Sequence, residues 1–177
     1  MNSKKIFELT QKCEYLRPIF IGVFARDDLP KRKLSRNKSH ALIVNLDTKS
    51  QPGSHWIGIY APRKCRYIEY WDSTGRPPRH ESILNFLNYQ RDFFYFNNMS
   101  LQSIYTTTCG QYCLFFLCCR IHGLTQREIL NFFETDNPEF NDKFVNGVVQ
   151  NIFKSKLKLV NRHFLQSQLN RLFKLDK

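Results

Sequence analysis

The chain has 177 residues, enough to bury one continuous core and too few to require a second domain. Apolar residues make up 42% of it, with sixteen Phe and eight Tyr, which excludes a disordered polar tail and points to an aromatic-rich interior. The formal charge of +12 is high for this size and attracts polyanions, nucleic acid above all, with a plain solubilising role as the alternative.

The first residues, MNSKKIFELTQKCEY, hold no apolar run that would serve as a signal peptide, and no stretch approaches a membrane span, so a reducing compartment is expected. Residues 2–15 read as a short helix. Arg17 to Phe24 reads as extended and leads into a basic loop from Lys31 to Lys38. Three strands follow: Ala41 to Leu46 is a largely apolar run, while His55 to Tyr60 and Arg66 to Asp72 alternate. Ala61-Pro62-Arg63-Lys64 joins the last two, which predicts a hairpin.

Ser73-Thr74-Gly75-Arg76-Pro77-Pro78 is turn chemistry that ends the third strand. Glu81 to Gln90 then predicts a helix with Ile83, Phe86 and Leu87 on one face, and Phe93 to Phe96 and Leu101 to Tyr105 predict two short strands. The run Cys109 to His122 is apolar nearly all round and is followed by Gly123, the profile of a buried central helix. A capping box at Thr125 and Glu128 opens a helix through Phe133, which Asp136-Asn137-Pro138 breaks before a further helix from Asn141 to Phe153. The chain closes on a basic amphipathic segment, 154–177. The expected fold is α+β: one domain over 1–177, a small antiparallel or mixed sheet packed with helices around the central helix.

Four positions carry chemistry. Cys109 follows three threonines and precedes Gly110 at the start of the central helix, where free N–H groups and the positive end of the helix dipole favour a thiolate and the small neighbour leaves room for a substrate backbone. In the predicted hairpin the start of one strand faces the end of the other, which brings His55 beside Asp72. Asp72 then fixes the imidazole tautomer and leaves the second ring nitrogen for Cys109. Glu69 is the competing carboxylate, on the opposite pleat phase. Gln102 has little local signal, but its place ahead of the Thr-rich turn lets its amide share an oxyanion with the Cys109 backbone N–H.

The six cysteines are Cys13, Cys65, Cys109, Cys113, Cys118 and Cys119. Helical thiols at i and i+4 have Cβ atoms about 5–6 Å apart, beyond the roughly 3.5–4.5 Å of a disulfide, so free thiols are expected, with Cys13–Cys65 the one pairing left open. A zinc site from Cys109, Cys113, Cys118, Cys119 and His122 is disfavoured, because all five lie on one apolar helix without a C-x-x-C pair. No metal is expected.

The strings Ser54-His55-Trp56, Tyr70-Trp71-Asp72-Ser73, Leu101-Gln102 and Thr108-Cys109-Gly110-Gln111-Tyr112-Cys113 resemble the adenain family, the adenovirus-type cysteine proteases that process viral precursor proteins. Phe20 to Phe24 and Ala41 to Asn45 are similar to family segments in the same order, and the seven-residue offset from Gln102 to Cys109 fits the family. The resemblance implies Cys109 as nucleophile, His55 as general base, Asp72 as its orienting acid and Gln102 as oxyanion donor. It also implies viral precursor polypeptides as substrates cut near glycine, a monomer acting in the host nucleus and virion, duplex DNA as a cofactor, and an activating viral peptide. The basic residues that would meet DNA are Lys31, Arg32, Lys33, Arg36 and Lys38 in the loop, and Lys154, Lys156, Lys158, Arg162, Arg171 and Lys174 at the end of the chain. Two features depart from the family. Asp72 stands where mammalian adenovirus enzymes carry Glu, and no cysteine lies between Cys65 and Cys109 to bond an activating peptide. A protease for ubiquitin-like modifiers, with the same order of four residues, and a non-catalytic DNA-binding or packaging protein are the rival readings.

Overall fold

The computed structural model describes residues 1–154. Helix α1 (Ser3–Lys12) leads to strand β1 (Phe20–Ala25), β2 (His40–Asn45), β3 (Trp56–Ala61) and β4 (Tyr67–Trp71). Helix α2 (Glu81–Gln90), strand β5 (Phe93–Phe96) and helices α3 (Cys109–Ile121), α4 (Gln126–Leu130) and α5 (Pro138–Lys154) complete the order. The strands form one mixed sheet in the order β1-β2-β3-β4-β5, with β1 parallel to β2, β4 parallel to β5, and antiparallel pairs between. The chain is α+β, as its pattern predicts, and the sheet is mixed because α2 is the crossover between two parallel strands.

Every residue of β2 and β3 is buried. The alternation in β3 therefore divides two cores, not core from solvent. Trp56 and Tyr60 face a large cluster built on α3, while Ile57, Ile59 and Ala61 face a smaller one under α2. Helix α3 sits so close to the sheet that a Cβ on Gly58 would lie 3.2 Å from the Phe116 ring, and Trp71 stacks on that ring at 4.8 Å between centroids. Nearly all of α3 is buried, between β3 on one side and α1, α4 and α5 elsewhere.

Helix α2 spans the predicted residues and buries Ile83, Phe86 and Leu87, and the β3–β4 hairpin forms as expected. The Thr125–Glu128 capping box is present, but α4 ends at Leu130, not Phe133, because Phe132 and Phe133 bond back three residues and tighten into turns. The expected break separates α4 from α5, but α5 opens ahead of the expected Asn141, at Pro138. Its missing N–H falls in the first turn, where no intrahelical partner exists, and Asn137 Oδ1 accepts from the Phe140 N–H at 3.1 Å.

Leu101 to Tyr105 is not a strand. Ser73 O takes both the Leu101 and Gln102 N–H groups, at 2.8 and 3.1 Å, and Thr106 N–H turns back to Ser103 O. The segment is an irregular loop held by side chains from α5. Of the segment 154–177, Lys154 ends α5 and residues 155–177 lie outside the described residues.

Candidate active site

The hairpin brings His55 and Asp72 together. His55 immediately precedes β3 and Asp72 immediately follows β4, so the antiparallel pairing sets them side by side, with His55 Nε2 2.7 Å from Asp72 Oδ1. That bond leaves Nδ1 for the thiol. Asp72 is 1% exposed, and the same oxygen accepts from the Thr74 N–H and hydroxyl, each at 2.8 Å. The turn closes with Gly75 N–H on Asp72 O, at a positive φ of 68°, with Met99 backbone filling the space where a Cβ would stand.

Asn97 completes the acid's support. Its side chain accepts from the Asp72 N–H at 2.8 Å and donates to the Asp72 carbonyl at 2.6 Å, replacing a ladder partner just past the end of β5. Sequence reasoning missed this residue, since one asparagine after a short aromatic strand gives no periodic signal.

Cys109 opens α3. Thr108 would ordinarily cap the helix, yet its hydroxyl makes no cap bond and instead donates to Asp142 Oδ1 at 2.8 Å. The first-turn N–H groups are thereby left for other partners. Burial opposes charge on the Cys109 thiol, but hydrogen bonds from His55 and from the backbone of Trp56 and Gly110 overcome it and lower its pKa below the ordinary thiol value. Burial likewise opposes charge on His55, and the hydrogen bonds to Asp72 and then Cys109 raise its pKa to about 9. The two shifts run toward a thiolate–imidazolium pair.

Gln102 is tied to the turn that follows Asp72 by a different route. Its Oε1 accepts from the Ser73 hydroxyl at 2.7 Å, and its Nε2 donates to Thr106 O at 2.9 Å and, more weakly, to the Thr106 hydroxyl oxygen at 3.5 Å. Ser73 therefore joins the acid's turn to the amide's loop. Asp142 anchors that loop from α5. It accepts from the Thr106 hydroxyl at 2.6 Å as well as from Thr108, and stands 3.0 Å from the Tyr112 hydroxyl. Asp142 and Ser73 were not found in the sequence either, because their partners are distant in the chain.

One expectation is corrected. The space above Gly110 does not lie open for a substrate backbone: a Cβ there would contact Ile6, Met1 and Trp56, so the glycine serves the packing of α1 on α3. Glu69 is occupied elsewhere, with Arg120 Nε 2.6 Å from its Oε2 and the Arg120 guanidinium over the Tyr60 ring. Burial raises the Glu69 pKa despite that partner. All six thiols are free. Cys13 is held to about 7, chiefly by a hydrogen bond with Cys118, and does not pair with Cys65.

A cleft of about 350 Å³ opens beside the base and acid, between Leu46, Asp47 and Ser54 on one side and Thr74, Arg76 and His80 on the other. The basic loop lies elsewhere. Lys31, Arg32 and Lys33 are exposed around buried Leu34, which packs under α2, and Lys33 Nζ sits 5.6 Å from the centre of the Tyr89 ring. Lys154 ends α5, and Lys156, Lys158, Arg162, Arg171 and Lys174 lie outside the described residues.

No protein-family model matches the sequence, and no curated protein matches it, so the adenain family itself is not shown. Solved structures do match. The ASFV pS273R protease aligns at 16% identity and a TM-score of 0.53 over 78% of this chain and 64% of that one. Its selenomethionine form aligns at 21% identity and a TM-score of 0.46 over 61% and 43%. ChlaDub1 from Chlamydia trachomatis aligns at 17% identity and a TM-score of 0.51 over 89% of this chain and 78% of that one. The chain thus spans less than two thirds of the length of the ASFV pS273R protease structures. What it shares with these proteins is the fold.

Proposed function

We propose that the protein is a thiol endopeptidase in which Cys109 attacks, His55 transfers protons, Asp72 orients His55, and Gln102 with the Cys109 N–H holds the oxyanion. The observation that carries this reading is His55 bonded through Nε2 to buried Asp72, with the Cys109 thiol near enough that each group shifts the pKa of the other toward its charged form. In the reaction, Cys109 Sγ adds to the scissile carbonyl carbon and its oxygen takes the negative charge. The imidazolium gives its proton to the leaving amine as the C–N bond breaks, which leaves a thioester. Water then attacks the thioester with His55 as base, releasing the acid and restoring the thiolate.

The substrates are precursor polypeptides of a virus or virus-like element, cut near glycine, and the sharing of a fold with a viral protease supports this. A second reading, a protease for ubiquitin-like modifiers, draws on the likeness to ChlaDub1, which extends over 89% of this chain. Duplex DNA is proposed as a sequence-independent ligand of the basic residues, with Lys31, Arg32 and Lys33 exposed for it. Action in a nucleus and virion, and an activating peptide bound without a disulfide, complete the proposal. A peptide-library cleavage profile, run with and without duplex DNA and beside a diGly-ended modifier probe, tests it. Cleavage of the library near glycine, enhanced by DNA, supports precursor processing. Turnover of the modifier probe alone supports the second reading, and no hydrolysis of either excludes both.

A further inference from the structure

Ile104 and Tyr105 are 88% and 85% exposed, whereas the next most exposed large apolar side chain among the described residues, Tyr95, is 52% exposed. Single apolar residues on a surface need no explanation, but an adjacent pair given almost wholly to water does. These two lie on the loop between Gln102 and Cys109, the proposed oxyanion donor and nucleophile.

The loop that carries them is fixed. Thr106 N–H bonds back to Ser103 O, the Ser103 hydroxyl donates to Glu139 at 2.9 Å, and the Thr106 hydroxyl donates to Asp142 at 2.6 Å. Both ends of the exposed pair are thus pinned to α5. The side chains point to solvent from a backbone that has already lost its freedom, so a partner that covers them pays little ordering entropy.

The chemistry of the surroundings selects the partner. From Asn97 to Thr108 the sequence has no charged residue, in a chain whose formal charge is +12. The groups that pin the loop, Glu139 and Asp142, are acids. A polyanion gains nothing here, whereas an apolar polypeptide segment gains burial. We propose that Ile104 and Tyr105 form a preformed apolar ledge, on the loop that leads from Gln102 to the nucleophile, on which apolar side chains of the polypeptide substrate dock. This rests on the thiol-endopeptidase reading above and adds a determinant of substrate choice to it.

The test compares the intact protein with an Ile104→Ser/Tyr105→Ser variant on two substrates, a protein substrate carrying the preferred cleavage sequence from the profile with apolar flanking residues and a short fluorogenic peptide spanning only the scissile bond. Because both side chains are exposed, the variant is expected to keep the thermal midpoint of the parent. The expected result is a rise in KM for the protein substrate that lowers the ratio of kcat/KM, protein over peptide, by about tenfold or more, with Tyr95→Ser leaving the ratio at the parent value. An unchanged ratio in a protein that hydrolyses both substrates overturns the ledge and leaves the peptidase reading standing. Loss of duplex-DNA binding, or of a concentration-dependent dimer, with the ratio unchanged assigns the pair to another partner and also overturns it. If the parent hydrolyses neither substrate, the peptidase reading fails and takes the ledge with it.

Discussion

The Ser73 hydroxyl donates to Gln102 Oε1 at 2.7 Å, and through that bond the turn that follows Asp72 holds the amide proposed to serve the oxyanion. Ser73 also receives the Leu101 and Gln102 N–H groups on its carbonyl, so one residue fixes both the position and the orientation of Gln102. Gln102→Ala is expected to lower kcat by the equivalent of about 2.7–4 kcal/mol with little change in KM, as for other lost oxyanion donors. Ser73→Ala is expected to lower kcat by a smaller factor, and the double variant to be no worse than Gln102→Ala alone. Additive losses in steady-state kinetics would separate the two residues.

Asp72 and Glu69 predict different phenotypes. Asp72→Asn is expected to reduce turnover by roughly 10²- to 10⁴-fold in a folded protein, because the amide no longer supports the imidazolium. Glu69→Gln leaves Arg120 buried without its anion, at a cost of about 3–5 kcal/mol of stability, while activity per folded molecule is retained. Urea denaturation read beside turnover distinguishes them. Equal losses of turnover in both folded variants would transfer the acid's role away from Asp72.

The pair Cys109–His55 sets the pH dependence. Turnover needs the thiolate and the imidazolium together, so kcat/KM is expected to fall on the acid side as Cys109 is protonated, below the ordinary thiol range, and on the alkaline side near 9 as His55 loses its proton. The stability that His55 contributes has the matching sign. Its folded pKa stands above the ordinary 6.5, so the contribution is complete below 6.5 and is lost as pH rises through about 9. Asp72→Asn is expected to move the alkaline limb downward. An alkaline limb already near 6.5 in the parent would mean that His55 is not held as the cation.

How much of this was legible in the sequence follows from how local each contact is. The strand and turn pattern from His55 to Asp72 specifies a hairpin, and a hairpin places its open ends together, so the base and acid were readable. Helix α3 was readable too, from an apolar run closed by Gly123 at a φ of 86°. The Leu101–Tyr105 strand was not, because that loop takes its shape from Ser73 and from Asn141 and Asp142, none of which is a neighbour in sequence. Extended propensity in five residues yields to side-chain bonds arriving from another helix.

Asp142 is the most exacting of those distant contacts. Asp142→Ala removes the acidic acceptor shared by the Thr106, Thr108 and Tyr112 hydroxyls, leaving Tyr112 to Leu101 O and Thr106 to Ser103 O, at about 1–3 kcal/mol for each group not repaired by those partners or by water. A loss of about 3 kcal/mol or more in denaturant unfolding is expected, together with a fall in kcat, since Gln102 bonds Thr106 and Cys109 follows Thr108. Full stability in the alanine variant would show that the loop is held by other means.

The most direct test of the central claim is to trap the nucleophile with a peptidyl vinyl sulfone built on the preferred cleavage sequence and to locate the adduct by peptide mass spectrometry. Cys13 is the control, since its thiol is also lowered, to about 7, but by Cys118 and not by His55. The account predicts a single adduct on Cys109, undiminished by Cys13→Ser and abolished by His55→Ala. An adduct on Cys13 or any other thiol, with Cys109 unmodified in the folded protein, would contradict it.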